Sequence, residues 1–269
     1  MSLVFKYYGP ERCDFFKDPK FRFTFPADLN DPQDCIPEFI IQDVDKLATD
    51  VAGRNRSKLI QKHGKKLTPQ VFAKAIADYK SDLSSNPTKL LSEADSIIKE
   101  QLNNTLGVFS LTRVSVNEKM WELYCRDGRG FVIGLDSKSV FFQPRKNSHP
   151  DIDRLVKITY TSNPIEIKVE HFKVPEKLLY TKTLAWSYEE EVRIVRKLSD
   201  CDEQQQINGS LIHLFSFPKL DIREVVFGYN CSKDLIDTIK ADIMHDPNYN
   251  IELKKTSLNK NGDIVIASF

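Results

Sequence analysis

The spacing of hydrophobic residues divides the chain into β-rich and helical parts. Val4–Tyr8 and Phe21–Phe25 read as short strands, and the second shows the alternation of a half-buried strand. Between about residues 37 and 103 the apolar residues recur at helical spacing, and Thr68 followed by Pro69 predicts that a helix begins there. We therefore expect a helical insert at about 37–103 within a β-rich chain.

The remainder of the chain predicts short strands, a short helix around Asn117–Tyr124 and one late helix. The late helix is expected at Ser232–Met244, and the polar, glutamine-rich stretch Ser199–Ser210 is expected to be a surface loop. The predicted strands are Gly107–Thr112, Phe131–Leu135, Leu155–Tyr160, Ile165–Val169, Ile212–Phe217, Val225–Gly228 and Ile264–Ile266. Short strands with helices gathered early and late predict a single α+β domain over residues 1–269, with a mixed, mainly antiparallel β core.

Charge gives one local signal for a partner. The chain of 269 residues has a net charge of +1, so nothing global indicates nucleic acid or a membrane. The basic run Arg54–Lys66 is the exception, and we expect Lys62, Lys65 and Lys66 to contact a nucleic acid or another partner. The alternative is a solvated helix end.

Cysteine and histidine spacing argues against disulfide and metal sites. The five cysteines are scattered without a C-x-x-C motif, and the five histidines have no ligand spacing, so we expect no bound metal. No stretch has the apolar length of a membrane span, and Met1–Pro10 lacks the apolar core of a signal peptide. We expect a cytoplasmic protein without a membrane partner.

The strongest candidate for chemistry is a pair of glutamates at a predicted strand entrance. On a strand, Glu189 and Glu191 would share a face with Arg193, while Val192 and Ile194 would turn into the core. Carboxylates held close together repel, and such pairs either titrate apart or meet a cationic ligand or transition state. The alternative is a charged outer face on which Glu191 pairs with Arg193 or a nearby lysine.

A series of motifs resembles a bacterial family catalogued only as a domain of unknown function. The motifs fall in the family's order over nearly the whole chain. They are Lys6-Tyr7-Tyr8, Asn30-Asp31-Pro32, Ser110-Leu111-Thr112, Met120-Trp121 with Tyr124, Gly130–Gly134, Lys182 with Trp186, Glu189, Glu191 and Arg193, and Glu224–Gly228. This resemblance implies no particular reaction.

A second resemblance implies a reaction. The order of an early strand, a strand ending in Ser110 and Thr112, and a late Glu-x-Glu-Val is similar to the ADP-ribosyltransferase fold. The resemblance implies that NAD is the substrate and that Glu189 and Glu191 are catalytic. In that family the first strand presents an arginine or histidine to the dinucleotide, whereas this chain offers Lys6 or Tyr7.

The chemistry of NAD cleavage explains such a set of residues. Breaking the nicotinamide glycosidic bond develops positive charge on the ribose. Glu191 would stabilise that charge and Glu189 would orient or deprotonate the acceptor. Ser110 and Thr112 would hold ribose or the nicotinamide amide. Tyr7 or Trp121 would stack on an aromatic ring.

We also expect Glu191→Gln to abolish activity with little effect on stability.

These observations favour an NAD-dependent ADP-ribosyltransferase-like enzyme that modifies a macromolecule, either protein or nucleic acid, as a bacterial toxin or in defence against phage. Two alternatives stay open. In the first, Glu189, Glu191 and Asp31 bind a divalent metal in a hydrolase or nuclease. In the second, the chain is a non-catalytic binding module whose helical insert is the working surface.

Overall fold

Contacts within the chain define two compact units in the computed structural model. The first unit comprises Met1–Asp34, Asn103–Ser162 and Tyr180–Phe269, and the second comprises Cys35–Leu102 and Asn163–Leu179. The structure describes residues 2–31, 33–63, 67–146, 148–149, 152–169, 176–207 and 209–268. The predicted insert at 37–103 corresponds to the larger segment of the second unit.

Fifteen strands and six α-helices are present in the described residues. The strands are β1 (Leu3–Tyr8), β2 (Lys20–Phe23), β3 (Glu38–Ile40), β4 (Leu106–Thr112), β5 (Phe131–Asp136), β6 (Val156–Lys157), β7 (Thr159–Thr161), β8 (Glu166–Lys168), β9 (Thr181–Thr183), β10 (Glu191–Lys197), β11 (Glu203–Ile207), β12 (Ser210–Ser216), β13 (Ile222–Phe227), β14 (Glu252–Leu258) and β15 (Ile264–Ser268). The helices are α1 (Val44–Arg54), α2 (Arg56–His63), α3 (Pro69–Ser85), α4 (Pro87–Thr105), α5 (Glu118–Tyr124) and α6 (Lys233–Met244).

The first unit is built on an eight-stranded sheet. Its strand order is β15-β14-β13-β5-β1-β4-β10-β6, and only the pairing of β13 with β14 is parallel. The smaller sheet β11-β12-β2 is antiparallel, whereas β7 and β9 form a parallel pair. The prediction of an α+β fold with a mixed, mainly antiparallel sheet is therefore confirmed.

Both faces of the central sheet are covered. All six residues of β5 are buried, and alternate side chains belong to different apolar clusters. Phenylalanines fill one cluster, where Phe21 stacks on Phe109 with ring centroids 4.5 Å apart. Trp121 from α5 and Tyr7 from β1 belong to the other cluster. Aromatic packing on both faces explains how short strands form a stable sheet.

Two parts of the first unit differ from the sequence prediction. The expected loop Ser199–Ser210 contains β11, which pairs along its length with β12. Its glutamines are exposed on an edge strand, where backbone hydrogen bonds stabilise the strand although its composition is polar. The lysine-containing β14 was not predicted either, because its composition is likewise polar. The predicted late helix is confirmed as α6, and the Ser232 side chain accepts a hydrogen bond from the Leu235 amide.

The second unit is mainly helical. It contains α1 to α4 up to Leu102, together with a parallel pairing of β3 with β8. The predicted helix start at Thr68 is confirmed, because its side chain accepts a hydrogen bond of 3.3 Å from the Val71 amide. Within the described residues no helix has the length and apolar character needed to cross a membrane.

The basic run predicted to contact a partner is only partly described. The run includes α2, but Lys65 and Lys66 lie outside the described residues, and so does the side chain of Lys62. Contact between these three lysines and a nucleic acid or another partner stays a prediction.

Candidate functional site

A cleft opens in the first unit where two central strands separate. β1 pairs with β4 only at Phe5 and Thr112, although each strand pairs over six or more residues with its other neighbour. Residues of both strands, the α5 side chains Met120 and Tyr124 and the two glutamates line the cleft, which encloses about 780 Å³ including space open to solvent. The cavity itself measures about 160 Å³, below the roughly 300–1,000 Å³ of sites that enclose a small molecule, so a ligand here would be only partly enclosed.

The predicted strand entrance has a different local structure. Glu189 ends a 3₁₀ helix, and β10 begins only at Glu191. Glu190 lies between them in the left-handed conformation, with φ 42° and ψ 46°. The prediction that Glu189 and Glu191 share one strand face is therefore wrong. The two carboxylates nevertheless meet at the same lysine.

The carboxylates belong to a buried ion network. The Lys182 ammonium donates to Glu189 at 2.6 Å and to Glu191 at 3.1 Å. Arg193 donates from Nε to Glu191 at 2.8 Å and forms two bonds to Asp34, at 3.0 and 2.7 Å. All five side chains are at most 6% exposed. The network joins three carboxylates to two cations, and Lys6 lies near enough to interact with the charges of Glu191 and Glu189.

The alternative interpretation of Glu191 is thus partly correct. Glu191 does pair with Arg193 and with a lysine, as that interpretation required. However, these residues are buried and do not form a charged outer face. Val192 and Ile194 lie in the phenylalanine-rich core, as predicted. Both faces of β10 are therefore buried, one by apolar packing and the other by charge pairing.

The network fixes the charge states of its members. Burial raises the pKa of Glu191, but the charges of Arg193 and Lys182 outweigh burial and lower the pKa to about 2. Burial lowers the pKa of Lys182, but the two glutamates outweigh it and the net change is upward. Glu191 and Lys182 are consequently both ionised at neutral pH.

Lys6 and Ser110 occupy the opening between the separated strands. The Lys6 ammonium donates to the Ser110 carbonyl oxygen at 2.9 Å, and the Ser110 hydroxyl binds the Glu191 carboxylate. Burial lowers the pKa of Lys6 to about 8, although Glu191 and Glu189 act in the opposite direction. The structure thus brings Lys6 and Ser110 to the glutamates, and their contact with NAD stays a prediction.

Thr112 supports the glutamate turn. Its hydroxyl donates to the Glu189 carbonyl oxygen at 2.6 Å and accepts from the Val114 amide at 3.1 Å. The residue lines the cleft but is 1% exposed. The Thr112 hydroxyl proton is already donated within the protein, so Thr112 supports the backbone of the site. The hydroxyl has no free proton to donate in the predicted contact with ribose or the nicotinamide amide.

The two predicted aromatic platforms are core residues. Trp121 is fully buried, donates its Nε1 hydrogen to the Ser115 carbonyl, and is absent from the cleft lining in the described chain. Tyr7 lines the cleft but is 5% exposed, and its hydroxyl donates to the Val114 carbonyl. The rings contact each other edge to face at 5.4 Å. The prediction that Trp121 stacks on a ligand is wrong, because packing under the sheet covers its ring.

Three important residues were not among the predicted site residues. Lys182 joins the two glutamates, and Asp34 pairs with Arg193. Tyr124 donates from its hydroxyl to Glu189 Oε1 at 2.5 Å. Lys182 and Tyr124 belong to motifs noted in the sequence, but the contact between Tyr124 and Glu189 joins residues 65 positions apart. Only the folded chain reveals that partnership.

The carboxylates are not arranged for a metal ion. Lys182 and Arg193 bind the oxygens of Glu191, while Asp31 accepts from the Thr183 hydroxyl at 3.1 Å and from the Gln33 amide at 2.9 Å. Across the described part of the chain, no three His, Cys, Asp or Glu side chains form a group suited to a metal. The carboxylate oxygens that would bind a metal in the metal-dependent alternative therefore already bind other groups of the protein.

Comparison with known proteins gives a family match without a reaction. No curated protein and no solved structure matches the chain. Residues 120–194 match the family described as "Protein of unknown function (DUF2971)". The matched stretch contains Tyr124, Lys182 and both glutamates, so a domain of this kind includes the larger part of the buried network.

Proposed function

We propose that the first unit is an ADP-ribosyltransferase-like enzyme that cleaves NAD and transfers ADP-ribose to a macromolecule. The observation that carries this proposal is the pair of carboxylates, Glu189 and Glu191, that the buried ion network holds together at the cleft. A fixed negative charge in a poorly solvated cleft stabilises a transition state that develops positive charge.

The ribose of NAD is the group that needs this charge. Departure of nicotinamide leaves an oxocarbenium-like centre at the anomeric carbon. Because its pKa is lowered to about 2, Glu191 stays ionised. Its negative charge therefore acts on the ribose throughout the reaction. Glu189 is bound by a single cation and by a neutral tyrosine, so its charge is the less compensated of the two. Glu189 is therefore the better group to receive the acceptor's proton.

The cleft also suits the anionic part of NAD. Lys6 and Arg22 both line it, and Arg22 is exposed. Ammonium and guanidinium groups bind phosphate oxygens through charge-assisted hydrogen bonds. In this arrangement the diphosphate lies near Lys6 and Arg22, the ribose near Glu189, and the Ser110 hydroxyl within reach of the sugar. Tyr124 and Met120 provide the less polar wall for an aromatic ring.

Transfer is favoured over the metal-dependent alternative by the partners of the carboxylates. Lys182 occupies the space between Glu189 and Glu191 in which a metal would have to bind both. A hydrolase using these residues and Asp31 would first have to break buried ion pairs. The lined cleft likewise favours an enzyme over a purely binding module. A bacterial toxin or a phage-defence effector remains the proposed biological role, with protein or nucleic acid as acceptor.

Labelled NAD tests the proposal. The purified chain is incubated with NAD that carries ³²P in the adenylate phosphate and with a bacterial lysate, and protein and nucleic acid are then separated. Label is expected in one fraction, and it should persist when a chelator is added. The Glu189→Gln variant is the matched control and should leave both fractions unlabelled. Labelling that requires a divalent metal, or equal labelling by the variant, would contradict the proposal.

A further inference from the structure

Tyr124 lines the cleft beside Glu189 and is hydrogen-bonded to it. Its hydroxyl donates to Glu189 Oε1 at 2.5 Å, while the other oxygen of Glu189 is bound by Lys182 at 2.6 Å. Asn30 approaches the same hydroxyl with its side-chain amide at 3.5 Å. The Glu189 side chain is only 6% exposed, whereas Tyr124 is half-buried and lines the cleft. Because Tyr124 is the more exposed of the two, an acceptor entering the cleft can reach its hydroxyl more readily than the Glu189 carboxylate.

We infer that Tyr124 is a catalytic proton relay that carries the acceptor's proton to Glu189. This inference rests on the proposed function. The acceptor gives its proton to the Tyr124 oxygen while the tyrosine passes its own proton to Glu189 Oε1. The acceptor atom forms a bond to the anomeric carbon of ribose as the bond to nicotinamide breaks. The electron pair of the broken bond stays on the nicotinamide ring nitrogen, which becomes neutral. The protonated Glu189 then returns its proton to solvent.

Two properties of Tyr124 suit this role. Burial raises its pKa well above the ordinary value, and the neighbouring Glu189 carboxylate raises it further. The hydroxyl is therefore protonated before reaction and is ready to donate. The bond to Glu189 also gives the proton a short path, because proton transfer in catalysis requires groups within hydrogen-bond distance.

The relay is tested by NAD cleavage in mixtures of H₂O and D₂O. Nicotinamide release by the purified full chain is measured in single turnover, with water as the acceptor. Two protons moving together give a curved dependence of the rate on the deuterium fraction. Tyr124→Phe should lower the rate about 100-fold, as expected for loss of a general acid–base group, and should make the dependence linear. The double variant with Glu189→Gln should be no slower than Glu189→Gln alone.

Tyr229→Phe is the matched control. Tyr229 donates to the Asp127 carboxylate at 2.8 Å and is absent from the cleft lining in the described chain, so its variant should keep the rate and the curvature. As a second probe, 3-fluorotyrosine at position 124 keeps the ring and the hydroxyl but makes the proton more acidic, and the relay predicts a changed rate. An unchanged rate with either substitution at Tyr124 would overturn the relay alone. A wild-type chain that releases no nicotinamide would instead overturn the proposed function.

Discussion

Lys182 and Glu189 form a 2.6 Å ion pair although each side chain is only 6% exposed. The same ammonium also binds Glu191, so one cation separates two carboxylates that would otherwise repel each other. Desolvating such groups is costly, and their position is stable only while the set is complete. Lys182 is therefore the residue on which the geometry of both glutamates depends.

Removing this ammonium should destabilise the first unit. Lys182→Met leaves Glu189 and Glu191 buried without their shared cation, and loss of one partner from a buried pair costs about 3–5 kcal/mol. The free energy of unfolding is measured with urea. Lys99→Met removes a more exposed ion pair with Asp95 and should cost about 0.5 kcal/mol or less. Equal effects of the two substitutions would show that the Lys182 pair is not buried as described.

Glu191→Gln should reduce both stability and NAD cleavage. The sequence led us to expect little effect on stability, but Glu191 is 2% exposed and neutralises Arg193 and Lys182. Its folded pKa of about 2 lies below the ordinary value of 4.5. The carboxylate therefore stabilises the fold above pH 4.5, and this contribution disappears as the pH falls from 4.5 to about 2.

Urea unfolding at several pH values measures this contribution. The wild-type chain should lose more stability than Glu191→Gln between pH 4.5 and 2, so the two curves should converge in acid. Parallel curves would mean that Glu191 has an ordinary pKa in the folded protein.

Lys6 should make the binding of NAD depend on pH. Burial lowers its pKa to about 8, opposed by Glu191 and Glu189 and assisted by Lys182, so the ammonium loses its charge as the pH rises through 8. If Lys6 binds the diphosphate, KM for NAD should increase about tenfold or more above that pH. This is the loss of affinity expected when a hydrogen bond to a charged group is lost. Lys6→Arg keeps the charge at every pH tested and should remove the transition. A transition that persists in Lys6→Arg would assign it to another group.

Glu190 should tolerate glycine but not a β-branched residue. Its φ of 42° lies in the left-handed region, which glycine adopts freely and β-branched residues rarely adopt. The exposed Glu190 side chain contributes little. Glu190→Gly should therefore change stability by about 1 kcal/mol or less, whereas Glu190→Val should lower it by about 1–2 kcal/mol. Thermal unfolding distinguishes the two, and equal stability of both variants would contradict the left-handed turn.

Much of the fold follows from local patterns in the sequence. Apolar periodicity predicted the β core and the helices of the second unit, because a helix or strand that buries one face carries apolar residues at regular spacing. The polar strands β11 and β14 were missed since backbone pairing, which side-chain composition does not encode, stabilises them. Trp121 was assigned to a ligand because the sequence cannot tell a buried ring from an exposed one.

Some residues of the site were predictable, but its arrangement was not. Glu189, Glu191, Lys6 and Ser110 do meet at one cleft. Their meeting depends on the left-handed Glu190 and on the separation of β1 from β4, and no periodic pattern encodes either feature. Tyr124 approaches Glu189 only through tertiary packing.

Nicotinamide release by the purified chain shows whether the residues at this cleft cleave NAD, as we propose. The purified wild-type chain, Glu189→Gln and the control Glu203→Gln are compared by chromatography of the products. Glu189→Gln is the informative variant because Lys182 keeps Glu191 as a partner, so the fold should survive. Glu203 pairs with Lys20 and is absent from the cleft lining in the described residues.

We expect the wild-type chain and Glu203→Gln to release nicotinamide at equal rates. Glu189→Gln should be slower by about 100-fold or more, the usual effect of losing a group that stabilises transition-state charge. Circular dichroism should show the same fold for all three proteins. No nicotinamide release by the wild-type chain, or release by Glu189→Gln at the wild-type rate, would contradict the account.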